Sequence, residues 1–420
     1  STGEGETRAR IAAFSKADAE AWDRLCADFP GTAEYVFALL GSSMQMHTQG
    51  RLLAKALWRK GFGWTAELMR LLLSSPRKWL SETFESDHVR ATLAAWGMHL
   101  DFAPDMAGGA VFPYLESMAN QAFGMVIGKG GADTVTRALV GRIEALGGEV
   151  HCGRRVVRVI RDGGRASGVE LSDGTKVTAA KAVVANVAPS GLMRLLDGQS
   201  GDAGFDAKMT NFSHAPGTMM IHLALDGLPE WSAGEELQKF AYVHIAPSLE
   251  QMARTYQQAM AGLLPDEPII VVGQPTTVDP DRAPEGKHVL WVQVRMVPGE
   301  IRGDAAGKIA DRDWGSVKDA YAERALDIIE RHAPGLRAKI LGRAVVSPLD
   351  LEADNPNLVG GDQIAGSHHL SQNFLFRPAL GHATGKTPVD GLHLTGASVW
   401  PGAGTGAGAG YMLAQKLGGK

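Results

Sequence analysis

Glycine 391 to glycine 410 is the part of this chain best suited to chemistry: Gly391-Leu-His-Leu-Thr-Gly-Ala-Ser-Val-Trp-Pro-Gly-Ala-Gly-Thr-Gly-Ala-Gly-Ala-Gly410, followed by Tyr411-Met-Leu-Ala-Gln-Lys-Leu417. A short apolar run enters a glycine-rich loop, and the loop opens into a segment of helical character. Parts in that order let backbone N–H groups and a helix N-terminus face an anionic or electron-rich ligand. Gly402, Gly404 and Ala407 spell G-x-G-x-x-A, a loose dinucleotide fingerprint. Its position differs from that of an ordinary nucleotide-binding unit. Ten residues follow Gly410, too few for a returning strand, and no Asp or Glu occurs after Asp390. The acid expected about 20 residues on, to hold a ribose, is therefore missing. The loop must close a site begun elsewhere in the chain.

Other chemistry-bearing patterns are sparse. No Ser-His-Asp order, cysteine pair or phosphate-binding P-loop appears, and the two cysteines, Cys26 and Cys152, stand alone. They read as buried or neutral thiols in a reducing compartment. The adjacent His368-His369 raises metal binding, but neighbours on a strand point to opposite faces, so no metal site is expected. Hydrophobic residues make up 45% and charged residues 21%, and the formal net charge is −4, giving no reason to expect nucleic acid as a partner. No signal peptide is visible, and no apolar run approaches the roughly 18 residues of a spanning helix. A cytoplasmic location is expected.

The elements that must position the loop can be read from periodicity. Residues 7–29 suit a helix, with Ser15-Lys-Ala-Asp18 as a capping signal and Pro30-Gly31 as a stop. From Tyr35 to Leu100 the pattern is helical and rich in Leu, Met and Trp. Within it Arg51, Lys55, Arg59 and Lys60 mix with Leu52, Leu53, Leu57 and Trp58. That helix either packs its apolar face inward with its cations in water, or forms a cap that touches a membrane surface or admits a lipid-like substrate. After Gly130-Gly131, a helix from Asp133 to Leu146 ends at Gly147-Gly148. Strand-like runs follow at 149–151, 156–160, 166–171, 176–178 and 181–186, with turns at Asp162-Gly-Gly164 and Ser172-Asp-Gly174. Strand-like runs at 218–225, 268–272, 288–296 and 338–346 alternate with helices near 248–262 and 316–332, enough for a second, mixed sheet.

These residues carry a resemblance. Gly130-Gly-Ala-Asp-Thr-Val-Thr-Arg-Ala-Leu139, the Gly-Gly-Glu-Val150 to Ile160 stretch, the hairpin ending in Ala-Val-Val-Ala-Asn186 and the segment from Asp279 to Leu290 are similar to the phytoene desaturase family of FAD-dependent oxidoreductases. So are Gly360-Gly-Asp-Gln-Ile364, Gln372-Asn-Phe-Leu-Phe-Arg-Pro378 and Leu394-Thr-Gly-Ala-Ser-Val-Trp-Pro-Gly402. The resemblance is weak before Gly130 and strong after it. It implies an α/β, Rossmann-like flavoprotein fold with a mixed-sheet substrate domain and a helical cap. The implied segments are a cap at 1–128, an FAD-domain segment at 129–200, the substrate domain at 201–350, and a return to the FAD domain at 351–420. The family opens with a strand, a G-x-G-x-x-G loop and an acid that bind the AMP half of FAD, and this chain has no such βαβ unit. A truncated chain is the expectation, ahead of a partner that supplies the missing half or a loss of FAD binding.

The resemblance also implies roles. Gly396, Ala397 and Ser398 would line the ribityl or phosphate side of the flavin, with Gly402, Gly404, Thr405, Gly406 and Ala407 beneath its ring. Physically, a loop without Cβ atoms admits close approach, and the helix dipole favours the charge that reduced flavin develops. Val156 or Val157 would meet the adenine, and Asn186 with Ala188 would border the pyrophosphate. His369, Gln372, Arg377 and Trp400 are candidates for the substrate side, and no catalytic side chain is required for hydride transfer. The expected activity is desaturation or dehydrogenation of an apolar, isoprenoid- or carotenoid-like small molecule by hydride transfer to flavin, with oxygen, a quinone or another acceptor reoxidising it. Peripheral membrane contact belongs to the same expectation. A flavin amine oxidase-like enzyme and a non-catalytic, truncated or regulatory subunit are the rival readings.

Overall fold

A computed structural model describes residues 3–404 and 407–419. In chain order the first elements are helices: α1 (Glu4–Ala12), α2 (Lys16–Leu40), α3 (Met46–Leu73), α4 (Pro76–Thr83), α5 (Asp87–Gly97), α6 (Val111–Phe123) and α7 (Asp133–Ala145). Strands β1 (Val156–Asp162), β2 (Arg165–Leu171), β3 (Lys176–Thr178) and β4 (Val183–Ala185) follow, then α8 (Pro189–Leu195) and α9 (Ala203–Thr210). The middle of the chain contributes β5 (Gly217–Leu225), β6 (Tyr242–Ile245), α10 (Leu249–Met260), β7 (Leu263–Leu264), β8 (Ile269–Gly273), β9 (His288–Val297) and β10 (Gly303–Asp304). Last come α11 (Trp314–His332), β11 (Ile340–Val346), α12 (Pro348–Asp354), β12 (Leu392–Leu394) and α13 (Gly408–Leu417).

Two compact units emerge. The first takes the chain up to Ala122, Gly153–Ala215 and the chain from Asn355 onward. It joins the helices α1–α6 to two small sheets. One is the antiparallel sheet β1-β2-β3, and the other is the parallel pair β4 and β12, in register from Val183↔Leu392 to Ala185↔Leu394. Ala185, Leu192, Leu394, Val399 and Ala409 share a core that seats this pair against α8 and α13. The second unit is Phe123–Cys152 with Pro216–Asp354. Its antiparallel sheet runs β11-β5-β9-β8-β6, with alternate residues such as Ile221, Val292 and Ile270 buried against Val317, Tyr321 and Leu326 of α11.

Local signals account for many of these elements. Ser15 caps α2, its Oγ accepting from the Asp18 N–H at 3.1 Å. Gly163 and Gly164, both at positive φ (54° and 85°), make the two-residue turn between β1 and β2, where side chains would strain the backbone. Three expectations fail. Residues 7–29 are not one helix, since α1 ends at Ala12 and α2 begins only after the Ser15 cap. α2 does not stop at Pro30 but continues to Leu40, because Phe29, Ala33, Tyr35 and Val36 are buried along it and their packing offsets the backbone bond that proline loses. Residues 149–151 form no strand, and all three are exposed, so no apolar face holds them to a sheet.

Candidate functional site

The carboxyl ends of β4 and β12 lie side by side, which is where open parallel sheets bind ligands. Asn186 follows β4, and Thr395-Gly396 follows β12, with the Thr395 N–H donating to the Ala185 carbonyl at 2.9 Å. Gly396 has φ 94°, and a Cβ there would fall 2.0 Å from Asn186 Oδ1. The Thr395 hydroxyl is buried with no hydrogen-bond partner. Asn357 spans the same corner: its Oδ1 accepts from the Ala188 N–H at 2.9 Å, and its Nδ2 donates to the Asn186 carbonyl at 3.2 Å.

Beyond Gly396 the loop is fastened from one side. Arg377 is fully buried and donates to backbone carbonyls, to Ala397 at 2.7 and 3.0 Å and to Ser367 at 2.8 Å, with longer contacts to Ala365 and Gly366 at 3.2 Å. Burial pulls its guanidinium down to about 10. His368 Nε2 accepts from the Ala403 N–H at 3.2 Å, which fixes the neutral ring with its proton on Nδ1. Burial, reinforced by Arg377, holds His368 well below the usual imidazole range. Asp101, at φ 53° after α5, accepts from Ser367 Oγ at 2.7 Å and from the His368 N–H at 3.1 Å, with His369 Nε2 at 3.3 Å. Burial pushes the Asp101 carboxyl up to about 7 despite those bonds. The described part of the loop ends at Ala407, at φ 65°, the N-cap of α13, whose side chain offers no oxygen to the first-turn N–H groups of that helix.

A cavity of about 560 Å³ adjoins the loop. Phe37 and Leu40 of α2, Leu72 of α3, Phe112 of α6, Phe374 and Trp400 contribute to an apolar wall, and Ala403, Gly404 and Gly408 also line the cavity. Trp400 is 1% exposed, stacks on Phe374 with ring centroids 5.2 Å apart, and donates from Nε1 to the Ser42 carbonyl at 2.9 Å.

The residues singled out from sequence therefore separate. Asn186, Gly396, Ala397, Ser398, Gly402, Gly404 and Ala407 fall on the strand ends and the closing loop. Thr405 and Gly406 lie outside the described residues. Val156 and Val157 open β1, in the antiparallel sheet rather than in the parallel pair. Of the substrate-side candidates, Trp400 lines the cavity. Arg377 does not: its donors are committed to the backbone, so it holds the loop. Gln372 is likewise structural, bonding both the N–H and the carbonyl of Ser213 at 2.8 Å. His368 and His369 do not diverge on a strand; they sit in a turn, and both rings approach the Asp101 carboxylate. Asp101, Glu116 and Asn357 lie outside every local motif of the sequence, so nothing in it marks them.

An orphaned hydroxyl at a strand end, a glycine with no room for a side chain and an uncapped helix N-terminus fit a phosphate-bearing cofactor that needs close backbone approach. Together with the α/β fold and the family match, they place the chain among flavin-dependent oxidoreductases. The family described as flavin containing amine oxidoreductase matches residues 9–331, and the chain belongs to it. FAD is its cofactor. The chain is 27% identical over 433 residues to the rat pyridine nucleotide-disulfide oxidoreductase domain-containing protein 2, covering 96% of this chain and 73% of that one. It spans 60% of the mouse counterpart. The neurosporene-forming phytoene desaturase of Rhodobacter capsulatus is 26% identical, over 99% of this chain and 74% of its own length. Among solved structures, a putrescine oxidase variant superimposes with a TM-score of 0.54 at 14% identity, over 95% of this chain and 75% of that one, a likeness of fold. Among the described residues no helix is long and apolar enough to cross a membrane.

Proposed function

We propose that this protein is a desaturase- or dehydrogenase-type enzyme that removes hydride from an apolar, isoprenoid- or carotenoid-like molecule held in the cavity beside the closing loop. The observation that carries the reading is the cavity itself, walled by aliphatic and aromatic side chains and lined also by Ala403 and Gly404 of the loop. The flavin, when bound, supplies the hydride acceptor. The chain's own residues bind, exclude water and orient. Phe37, Leu40, Leu72 and Phe112 shed water from an apolar substrate, while Arg377 and His368 keep the loop in one conformation under it. Similarity to phytoene desaturases supports an isoprenoid substrate. Family membership favours a second reading, oxidation of an amine.

Anaerobic mixing of the FAD-loaded protein with phytoene, and separately with putrescine or cyclohexylamine, distinguishes the two. The proposal expects phytoene to bleach the flavin band at about 450 nm. Bleaching by the amines alone refutes it. Delivery of such a substrate suits peripheral membrane contact. On either side of the kink at Gly61 in α3, Trp58 (83%) and Phe62 (79%) are exposed, with Arg51, Arg59 and Lys60 in the same stretch of chain, which brings apolar surface and positive charge together there. Co-sedimentation with anionic liposomes, lost in a Trp58→Glu, Phe62→Glu double variant, is expected; equal sedimentation of both proteins, or of neither, counts against the membrane role.

A further inference from the structure

α6 forms one wall of the cavity, and one of its residues is out of keeping with that wall. Phe112, Leu115, Glu116 and Ala119 line the cavity at i, i+3, i+4 and i+7, a single helical stripe. The other side of α6 is also committed, with Pro113, Tyr114, Ser117 and Met118 buried. Glu116 thus stands in the middle of an apolar stripe, where a helix packed for shape alone carries Leu or Met. It is the one carboxylic acid among the described residues that line the cavity, and among those residues no Lys or Arg pairs with it. Burial pushes its carboxyl above the usual glutamate range. A side-chain hydrogen bond with Asn120, one turn on, opposes that shift without cancelling it, and a carboxyl group among aliphatic and aromatic side chains costs free energy for each oxygen left without a bond.

We propose that Glu116 reads a hydrogen-bond-donating end group, a hydroxyl or an ammonium, on an otherwise apolar substrate, and so sets the specificity of the cavity. The inference rests on the reading that this cavity is the substrate site, and it narrows that reading: a plain hydrocarbon such as phytoene fills the apolar wall but gives Glu116 no partner beyond Asn120, whereas an end group carrying O–H or N–H adds a bond from the cavity side. The aliphatic and aromatic wall takes the rest of the molecule, with Leu40 and Leu72 lining the cavity along with the α6 stripe.

Isothermal titration of the full chain with n-hexane, n-hexanol and n-hexylamine tests this without turnover. Wild type is expected to bind hexanol or hexylamine roughly tenfold more tightly than hexane, the effect of about one satisfied hydrogen bond to a buried group. Glu116→Leu should bring all three to similar affinity, and circular dichroism should confirm that it folds. Glu116→Gln, which keeps an acceptor oxygen but no charge, should retain hexanol and lose hexylamine; which of the two ligands wild type prefers separates the hydroxyl from the ammonium. Equal affinities in wild type, or a preference that survives Glu116→Leu, overturn the role of Glu116 while leaving the cavity as a binding site. Failure of all three to bind overturns the substrate-site reading and the proposal with it.

Discussion

Replacing Gly402 by alanine perturbs the closing loop at its tightest point. Gly402 has φ 95°, and a Cβ there would lie 2.5 Å from His368 Nε2 and 3.1 Å from Arg377 Nε. Neither neighbour can yield cheaply. His368 is 3% exposed and accepts from Ala403, and Arg377 is buried with its donors committed to Ala397 and Ser367. The left-handed backbone costs an alanine about 1–2 kcal/mol, and forcing a methyl group into a filled space adds about 1–3 kcal/mol. Gly404, two residues on, has φ 78° and nothing within 4 Å of its Cβ position, so its alanine variant pays the backbone cost alone. If the loop must hold this shape to receive FAD, Gly404→Ala should weaken FAD about 5- to 30-fold, and Gly402→Ala at least about fivefold more than that. Fluorescence titration with FAD measures both, with far-ultraviolet circular dichroism confirming that each variant folds. Dissociation constants within twofold of each other would refute the claim that the loop is locked against His368 and Arg377.

Two further expectations concern buried carboxylates. Asp101 has a folded-state pKa of about 7 against 3.8 unfolded, so the folded protein binds its proton more tightly. Stability from this group is complete below about pH 4 and is lost as pH rises to about 7, about 4 kcal/mol in all. The urea midpoint of wild type relative to Asp101→Asn should fall between pH 4.5 and 7.5, and a constant difference between the two proteins would contradict it. Asp304 behaves oppositely. Burial works against its charge, but a bidentate Arg324 at 2.7 Å and the N–H groups of Ile309 and Lys308 hold it at about 2. Its contribution is present above about pH 4 and lost as pH falls through about 2. Asp304→Asn should cost about 3–5 kcal/mol in urea unfolding at pH 7, because it leaves a largely buried guanidinium without its charge partner. A loss below about 1 kcal/mol would show the pair to be dispensable.

What the sequence reveals about this protein is what neighbouring residues decide among themselves. Ser15 caps the helix that follows it, two glycines after Asp162 turn a hairpin, and the Leu392–Leu394 run ahead of a glycine loop forms a strand. The glycine-rich loop after β12 is legible for the same reason, since lack of side chains is a property of the loop itself. The clamp behind it is not. Asp101 meets the His368 N–H across 267 positions of chain, and nothing near Asp101 marks it as anything but a turn residue. Arg377 is a substrate-side candidate in the sequence only by its place just ahead of the closing motif, and the carbonyls of Ser367 and Ala397 that bury it come from residues whose approach the sequence does not show. Pro30 looked like a helix stop because the packing of Tyr35 and Val36 beyond it depends on the tertiary fold.

The absorbance spectrum of the purified chain, taken as isolated and again after incubation with FAD and removal of the excess, tests the central claim most directly. The account predicts bands at about 370 and 450 nm that stay with the protein and weaken in Gly402→Ala. A colourless protein that takes up no FAD would contradict it.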